Sequence, residues 1–390
     1  MPHIKVKPFE TEELDRVIRQ HPYFTFRAID LQGKHEMLGV SYEEEVFMLE
    51  IKPKEGALQI KPDSISRPLS VDKIKQVLAL LVEILGLEVL YSNIASSSRK
   101  PALAEQYNKK IEDFIVPQFT REKIAIEVGF GSGRHLLYQA QRHPDTLFIG
   151  IEIHTPSAQQ VLKQIALQGL ENIWVINYDA RLLLEMMPSN SCSHIYVHFP
   201  VPWDKKPHRR VISEDFLREA LRVLAAEGAL ELRTDSTRYY YHALEVFSLP
   251  PKIDFWVEKN RELAVVSKYE DRWRAQEKDI YTLTVIAREH SEEKQRSYDF
   301  LFDGRGLSPH LEALPTETLV DAGYFVHFER QYRIAGGNNR MVRCAFGSFD
   351  KPEHKYLLQQ GDGVVYYPQN PVQTKVNHLA HQKIGAFLYG

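Results

Sequence analysis

Two stretches of this chain set ligand-facing groups at fixed spacing. Glu127-Val-Gly-Phe-Gly-Ser-Gly133 places a carboxylate two residues ahead of three alternating glycines, Gly129, Gly131 and Gly133. Glycine has no Cβ to block a tight turn, so backbone N–H groups there can face a ligand at a helix N-terminus. Downstream, His198-Phe-Pro-Val-Pro-Trp-Asp-Lys-Lys-Pro-His-Arg-Arg210 joins a proline-stiffened turn to one indole and four cations, Lys205, Lys206, Arg209 and Arg210, against Asp204 alone. The two prolines fix φ and leave Trp203 little freedom. A held aromatic suits stacking on a flat base, and a local cationic patch suits a few phosphates. A cofactor loop followed by such a turn points to an enzyme that modifies a base in a polyanion.

The flanking pattern supplies the elements that would position these groups. Ile124–Val128 reads as a buried strand running into the glycines, with a helix from about Arg134. The dinucleotide fingerprint wants glycine or alanine at the position of Arg134, so Glu127 and Gly133 favour S-adenosylmethionine over a nicotinamide cofactor. Leu147–Ile153 is a second strand, with Glu152 near its end as a ribose-hydroxyl acceptor. Trp174–Asn177 is a third, followed by Asp179 near the adenine edge. His194–Phe199 and Ala229–Leu232 are the fourth and fifth, and Tyr281–Ala287 a late edge strand. Ligands in open α/β sheets sit beyond the carboxyl ends of the strands, where all these residues fall. Plainer roles compete. Asp179 can cap a helix Ala180–Met187, Trp203 can be a packing residue, and His198 and His208 suit structural or phosphate-side roles. Tyr239, Tyr240 and Tyr241 point different ways on a helix and favour packing over RNA stacking. Ser213 caps a further helix, ended by Gly228.

With 390 residues the chain is long for one core and predicts two or three domains. A hydrophobic content of 43% and charged content of 26% are ordinary for a soluble protein. Cys192 and Cys344, the only cysteines, form no metal-ligand spacing, and no metal is expected. The N-terminus lacks a signal-peptide run, and Val77–Tyr91, with Glu83 and Glu88, is too short and charged to span a bilayer. A cytoplasmic protein without membrane contact is expected. The formal charge of −3 is not the footprint of a general RNA binder, which leaves the local patch to make the contact.

Three regions follow. Residues 1–100 form an N-terminal α+β extension, with strands over Tyr23–Leu31 and Val46–Lys52 and a helix between Ser70 as N-cap and Gly86 as stop. A polar run, 96–101, reads as a linker. Residues 101–290 alternate strand and helix patterns, as a parallel sheet covered by helices requires. After a second polar break, 291–296, residues 291–390 form a β-rich C-terminal extension. The extensions either pack beside the central region and enlarge an RNA surface or stand as independent domains. No repeat is present, and nothing in the sequence sets an oligomeric state.

The central region resembles the bacterial tRNA (guanine-N7-)-methyltransferases. The matching pieces are EVGFGSG at 127–133, GIEIHTP at 150–156, NYDA at 177–180, HFPVPWDKKPHRR at 198–210, RTDS at 233–236 and SKYE at 267–270. Their order and spacing agree across roughly 105–289. The resemblance implies a class I S-adenosylmethionine-dependent fold, Rossmann-like with a mostly parallel seven-stranded sheet. It implies tRNA as the partner and methylation of guanine 46 in the variable loop. It assigns Glu127, Glu152 and Asp179, with the three glycines, to the cofactor. Lys205, Asp235, Ser267, Lys268, Tyr269 and Glu270 are assigned to the guanine or its surroundings, with Asp235 and Trp203 in the catalytic role.

One position departs from the family pattern, which reads Phe-Pro-Asp-Pro-Trp where this chain has Val201. Guanine N7 has a free lone pair and no proton, so the reaction needs no base. Positive charge develops on the purine, and a carboxylate about 4 Å away supplies roughly 4 kcal/mol at an effective dielectric of 20 before desolvation. Orientation alone carries much of such a reaction, and Asp235 or Asp204 is placed to supply the missing charge. An active enzyme is expected. The alternatives are the same cofactor site with another RNA or a small molecule as substrate, or an RNA-binding protein that has lost its chemistry.

Overall fold

A computed structural model describes residues 2–66, 68, 70–95, 103–265, 268–304 and 306–390. The chain divides into two units, 101–297 with 372–374, and 1–100 with 298–371 and 375–390. The expected linker at 96–101 lies outside the described residues.

The central unit is built on eight strands in the order Ile253–Lys259, Tyr281–Ala287, Leu224–Thr234, Cys192–His198, Lys123–Val128, Thr146–Ile151, Ile173–Ile176 and Asn108–Lys109. Only Tyr281–Ala287 runs against the others, pairing antiparallel with both of its neighbours. This is the class I methyltransferase sheet, extended by the two-residue strand Asn108–Lys109. Ile124, Ala125 and Ile126 are buried in succession, because helices cover both faces of the sheet. Tyr281–Ala287 is therefore not an edge strand. The edge is Ile253–Lys259, whose mixed pattern of aromatic and charged residues hid a strand half open to solvent.

The helix after Ser213 behaves differently from expectation at its far end. Ser213 Oγ accepts from the Phe216 N–H, and the apolar face of Glu214–Val223 is buried. The helix then passes directly into the strand Leu224–Thr234, with no glycine stop. Gly228 lies inside that strand where its register with Cys192–His198 shifts, and a Cβ there would stand 2.8 Å from the Ala225 carbonyl. The polar break 291–296 is also not a free connector. Ser189 Oγ donates to the Glu292 carbonyl at 2.8 Å, Lys294 pairs with Glu219 at 2.9 Å, and Arg296 reaches the Met186 carbonyl at 3.0 Å.

The two extensions form one unit. Residues 324–334 pair antiparallel with 24–30, through Tyr332 opposite Asp30 and Ile334 opposite Ala28, so early and late strands share an 11-stranded sheet. The helix Val71–Leu85 is capped by Ser70 and ends at Gly86 with φ +59°, burying Ile74, Val77, Leu78 and Leu81. A second helix, Lys375–Tyr389, buries Ala380, Ile384 and Leu388 against the late strands. Acidic and basic side chains nearly balance in this unit.

Candidate active site

The parallel strands send their following loops to one edge of the central sheet, and hydrogen bonds join those loops. Gly129, Gly131 and Gly133 all take positive φ, at +69°, +54° and +73°. A Cβ on Gly129 would meet nothing within 4 Å, whereas one on Gly133 would strike Val161 Cγ2 at 2.3 Å. The loop thus leaves open space at its first glycine and packs tightly at its last, as a backbone cradle for a ligand must. Glu152 ties it to the next loop: its two oxygens accept from the N–H groups of Gly131 and His154, each at 2.9 Å. Asn177 donates to the Glu152 carbonyl and accepts from Thr155 Oγ1, which brings in the third loop.

Glu127 is buried beneath this loop and bonded to His135 Nδ1 at 2.8 Å, so it fixes the first turn of the helix Arg134–Arg142. Burial opposes protonation of His135, but the Glu127 carboxylate outweighs it and raises the imidazole pKa. Asp179 accepts from the Arg181 N–H and pairs with its guanidinium at 2.6 Å. The capping role that competed with adenine contact is realised, and the half-open carboxylate remains at the strand end.

The basic turn starts from a strained backbone. Phe199 and Trp203 have φ of +51° and +46°, a region that bulky residues enter at a cost on the order of 1–3 kcal/mol each. The Phe199 N–H donates to the Arg233 carbonyl at 2.8 Å, Lys206 N–H to the Trp203 carbonyl at 2.9 Å, and Arg210 Nε to the Pro202 carbonyl at 2.9 Å. Trp203 is 37% exposed, with the Arg209 guanidinium 5.3 Å above its ring. It is no core residue. Val201 is 60% exposed, while Lys205, Lys206 and His208 face solvent.

Asp235 follows the strand Leu224–Thr234, is 19% exposed, and pairs with Lys278 at 3.0 Å. Asp204 lies 3.6 Å from Arg210. Both carboxylates expected to replace the family aspartate therefore carry a cationic neighbour. Ser267 lies outside the described residues, and only the helical backbone of Lys268 and Tyr269 is described. Glu270 differs from expectation. It is 1% exposed and accepts from Arg233 at 2.7 Å and Arg274 at 2.8 Å, too enclosed to meet a base. Its helix, Lys268–Arg274, reaches the glycine loop through Asp271, which pairs with Arg134 at 2.7 Å. Of the three tyrosines, Tyr239 is buried and accepts from the Ile212 N–H, Tyr240 stacks on Tyr281 at 4.3 Å, and Tyr241 is exposed.

Behind the site lies an ionised network that sequence reasoning missed. His198 Nε2 bonds Glu231 at 2.8 Å, and the other Glu231 oxygen holds Arg261 at 2.5 Å. His198 is thus structural. Burial works against the Glu231 charge, but the His198 hydrogen bond and Arg261 prevail and bring its pKa down to about 2. A depressed carboxylate stabilises the fold fully above its unfolded value near 4.5, and that stability disappears as pH falls through about 2. The contribution is roughly 3 kcal/mol. Urea unfolding at pH 5 and pH 3 is expected to show a markedly smaller acid loss for Glu231→Gln than for the parent. Equal losses would contradict the assignment.

Among the described residues no cluster of His, Cys, Asp and Glu is arranged to hold a metal, and no helix is long and apolar enough to cross a membrane. The open glycine cradle and the carboxylates beyond two successive strands fit an adenosyl cofactor, and fold and site together define an S-adenosylmethionine-dependent methyltransferase of class I. Residues 121–283 match a family described as putative methyltransferase. The chain is 39% identical over 362 residues to the tRNA (guanine-N(7)-)-methyltransferase of Wolinella succinogenes, covering 92% of both chains. It is 37% identical over 393 residues to that of Helicobacter pylori strain J99, covering 98% of this chain and 95% of the relative. It is 40% identical over 329 residues to that of Campylobacter jejuni serotype O:2, covering 81% of each. This chain belongs to the tRNA (guanine-N(7)-)-methyltransferase family.

Proposed function

We propose that this chain methylates N7 of guanine in tRNA, at position 46 of the variable loop, in the cytoplasm. The observation that carries the reading is identity of 39% kept over 92% of both chains, with a relative whose name specifies that atom. The methyl donor is S-adenosylmethionine, which supplies a methyl group on a positively charged sulfur. Gly129, Gly131 and Gly133 provide the backbone cradle, Glu152 the ribose acceptor, and Asp179 the contact at the adenine edge, with Glu127 holding the loop from below.

The chemistry asks little of the protein beyond placement. Guanine N7 needs no deprotonation, so these residues hold the base, exclude water and favour the positive charge that grows on it. Asp235 accepts from the guanine edge and supplies negative charge. Trp203 stacks on the base, and Lys205, Lys206 and Arg209 meet phosphates. A tRNA carrying 7-deazaguanosine at position 46 tests this directly, because it keeps the hydrogen-bonding edge and lacks the nucleophile. It is expected to bind and to receive no methyl group. Transfer at the parent rate would exclude N7 of that base as the acceptor.

Lys205→Ala is expected to weaken tRNA binding several-fold and to lower the log–log salt slope by about one, as loss of one phosphate contact requires. Its affinity for S-adenosylmethionine is expected to match the parent. Equal weakening of both, in parallel titrations, would contradict the division of roles.

A further inference from the structure

We infer that Arg233 is a positioning residue for the guanine site, a role that rests on the methyltransferase reading above. Three segments must agree for a base to be held: the 198–210 turn, Asp235, and the helix Lys268–Arg274. The backbone of Arg233 borders the first two, and its side chain ties down the third. Its carbonyl accepts from the Phe199 N–H at 2.8 Å, where the positive-φ turn begins. Its guanidinium donates to Glu270 at 2.7 Å and to the Arg261 carbonyl at 3.3 Å, which ties the helix to residue 261. Thr282 Oγ1, on the neighbouring antiparallel strand, receives Nη1 at 2.8 Å. Asp235 follows two residues later on the same strand end.

Stability does not explain this arrangement. Arg233 is completely buried, and among the described residues its Nε has no hydrogen-bond partner. A buried ion pair is often no more stabilising than apolar side chains of similar volume, and an orphaned donor makes it less so. What apolar side chains cannot do is fix direction. The planar guanidinium holds three acceptors at set angles, which a flexible ammonium cannot reproduce. Arg274 extends the clamp by donating to Glu270 at 2.8 Å and to the same Arg261 carbonyl at 3.0 Å.

The test compares the full-length parent with Arg233→Lys, the double variant Arg233→Met with Glu270→Met, and Arg274→Gln. Each is assayed for kcat and KM with tRNA, for S-adenosylmethionine affinity, and for Tm. The double variant is expected to keep a Tm near that of the parent and cofactor affinity within about three-fold, because the fully buried pair goes together and Arg274, 34% exposed, keeps the Arg261 carbonyl. Its kcat/KM for tRNA is expected to fall about 30–100-fold, mostly in kcat, as misplacement of a reacting group by about 1 Å produces. Arg233→Lys is expected to lie between it and the parent.

Unchanged kcat/KM in a folded double variant would overturn the proposal, as would an equal loss of cofactor affinity. Should the double variant not fold, Arg233→Lys decides: a several-fold fall in kcat with cofactor affinity kept supports the clamp, while unchanged kcat refutes it. Arg274→Gln, which leaves the Arg233–Glu270 pair intact, is expected to lose less than Arg233→Lys. Absence of transfer by the parent itself would instead defeat the methyltransferase reading.

Discussion

Asp235→Asn is expected to slow methyl transfer to tRNA by roughly 10²–10³-fold, the size of effect seen when one preorganised electrostatic contact is removed from an active site. In free energy this is about 2.7–4 kcal/mol of barrier. The substitution keeps the shape of the side chain and removes its charge. With Val201 in place of the family aspartate, Asp235 is an enclosed carboxylate at the end of the strand Leu224–Thr234, only 19% exposed. Growing positive charge on the purine makes a fixed negative charge more favourable in the transition state than in the ground state, so kcat carries the loss. Lys278, 3.0 Å away, offsets part of that charge in the free protein. Because its side chain is 41% exposed, Lys278→Gln is expected to leave the fold intact. Single-turnover rates with saturating cofactor and tRNA separate the cases. Asp235→Asn at the parent rate would remove Asp235 from the chemistry and return attention to Asp204.

Glu152→Ala is expected to weaken S-adenosylmethionine binding by about 5–150-fold, the range given by losing a buried acceptor worth 1–3 kcal/mol. Two effects combine. The ribose loses its acceptor, and the N–H groups of Gly131 and His154 lose the carboxylate that links their loops. Glu152→Gln separates them in part, because one amide oxygen still accepts while the amide nitrogen faces a backbone N–H it cannot accept from. It is expected to bind more weakly than the parent and no more weakly than alanine. Calorimetric titration of the cofactor provides the check, with tRNA affinity expected to stay near the parent value. Parent-like cofactor affinity in the alanine variant would exclude Glu152 from the binding site.

The strand ends that carry the site were legible because each is announced locally. An apolar run stops at a glycine or a carboxylate, and parallel strands deliver their ends to one edge. The same local logic placed Ser70 and Gly86 at the two ends of a helix. It failed where pairing between distant segments decides. Nothing near residue 28 announces that it will pair with residue 334, so the extensions read as two pieces although one sheet joins them. Ile253–Lys259 escaped notice because an edge strand with both faces half open has no clean alternation. Gly228 read as a helix stop, whereas the helix gives way directly to a strand and the glycine serves a register shift.

The site was harder to read than the fold, since residue type alone does not separate contact from support. Glu270 stands in a matching motif, yet Arg233 and Arg274 enclose its carboxylate and turn it into an anchor. His198 opens the most specific motif and points back to Glu231. One signal was available in the sequence: an arginine, Arg233, at the end of the strand-like stretch Ala229–Leu232, two residues before Asp235. A charge in a strand buried on both faces requires a partner, and the partner proved to be Glu270 on the helix Lys268–Arg274.

The most direct test of the whole account is transfer of labelled methyl from S-adenosylmethionine to unmodified tRNA, followed by nuclease digestion and mass spectrometry of the nucleosides. The expected product is 7-methylguanosine, mapped to the variable loop, in near-stoichiometric yield per tRNA and with Val201 in place. A tRNA that binds together with the cofactor and gains no methyl group, or a label found on a different atom or base, would contradict it.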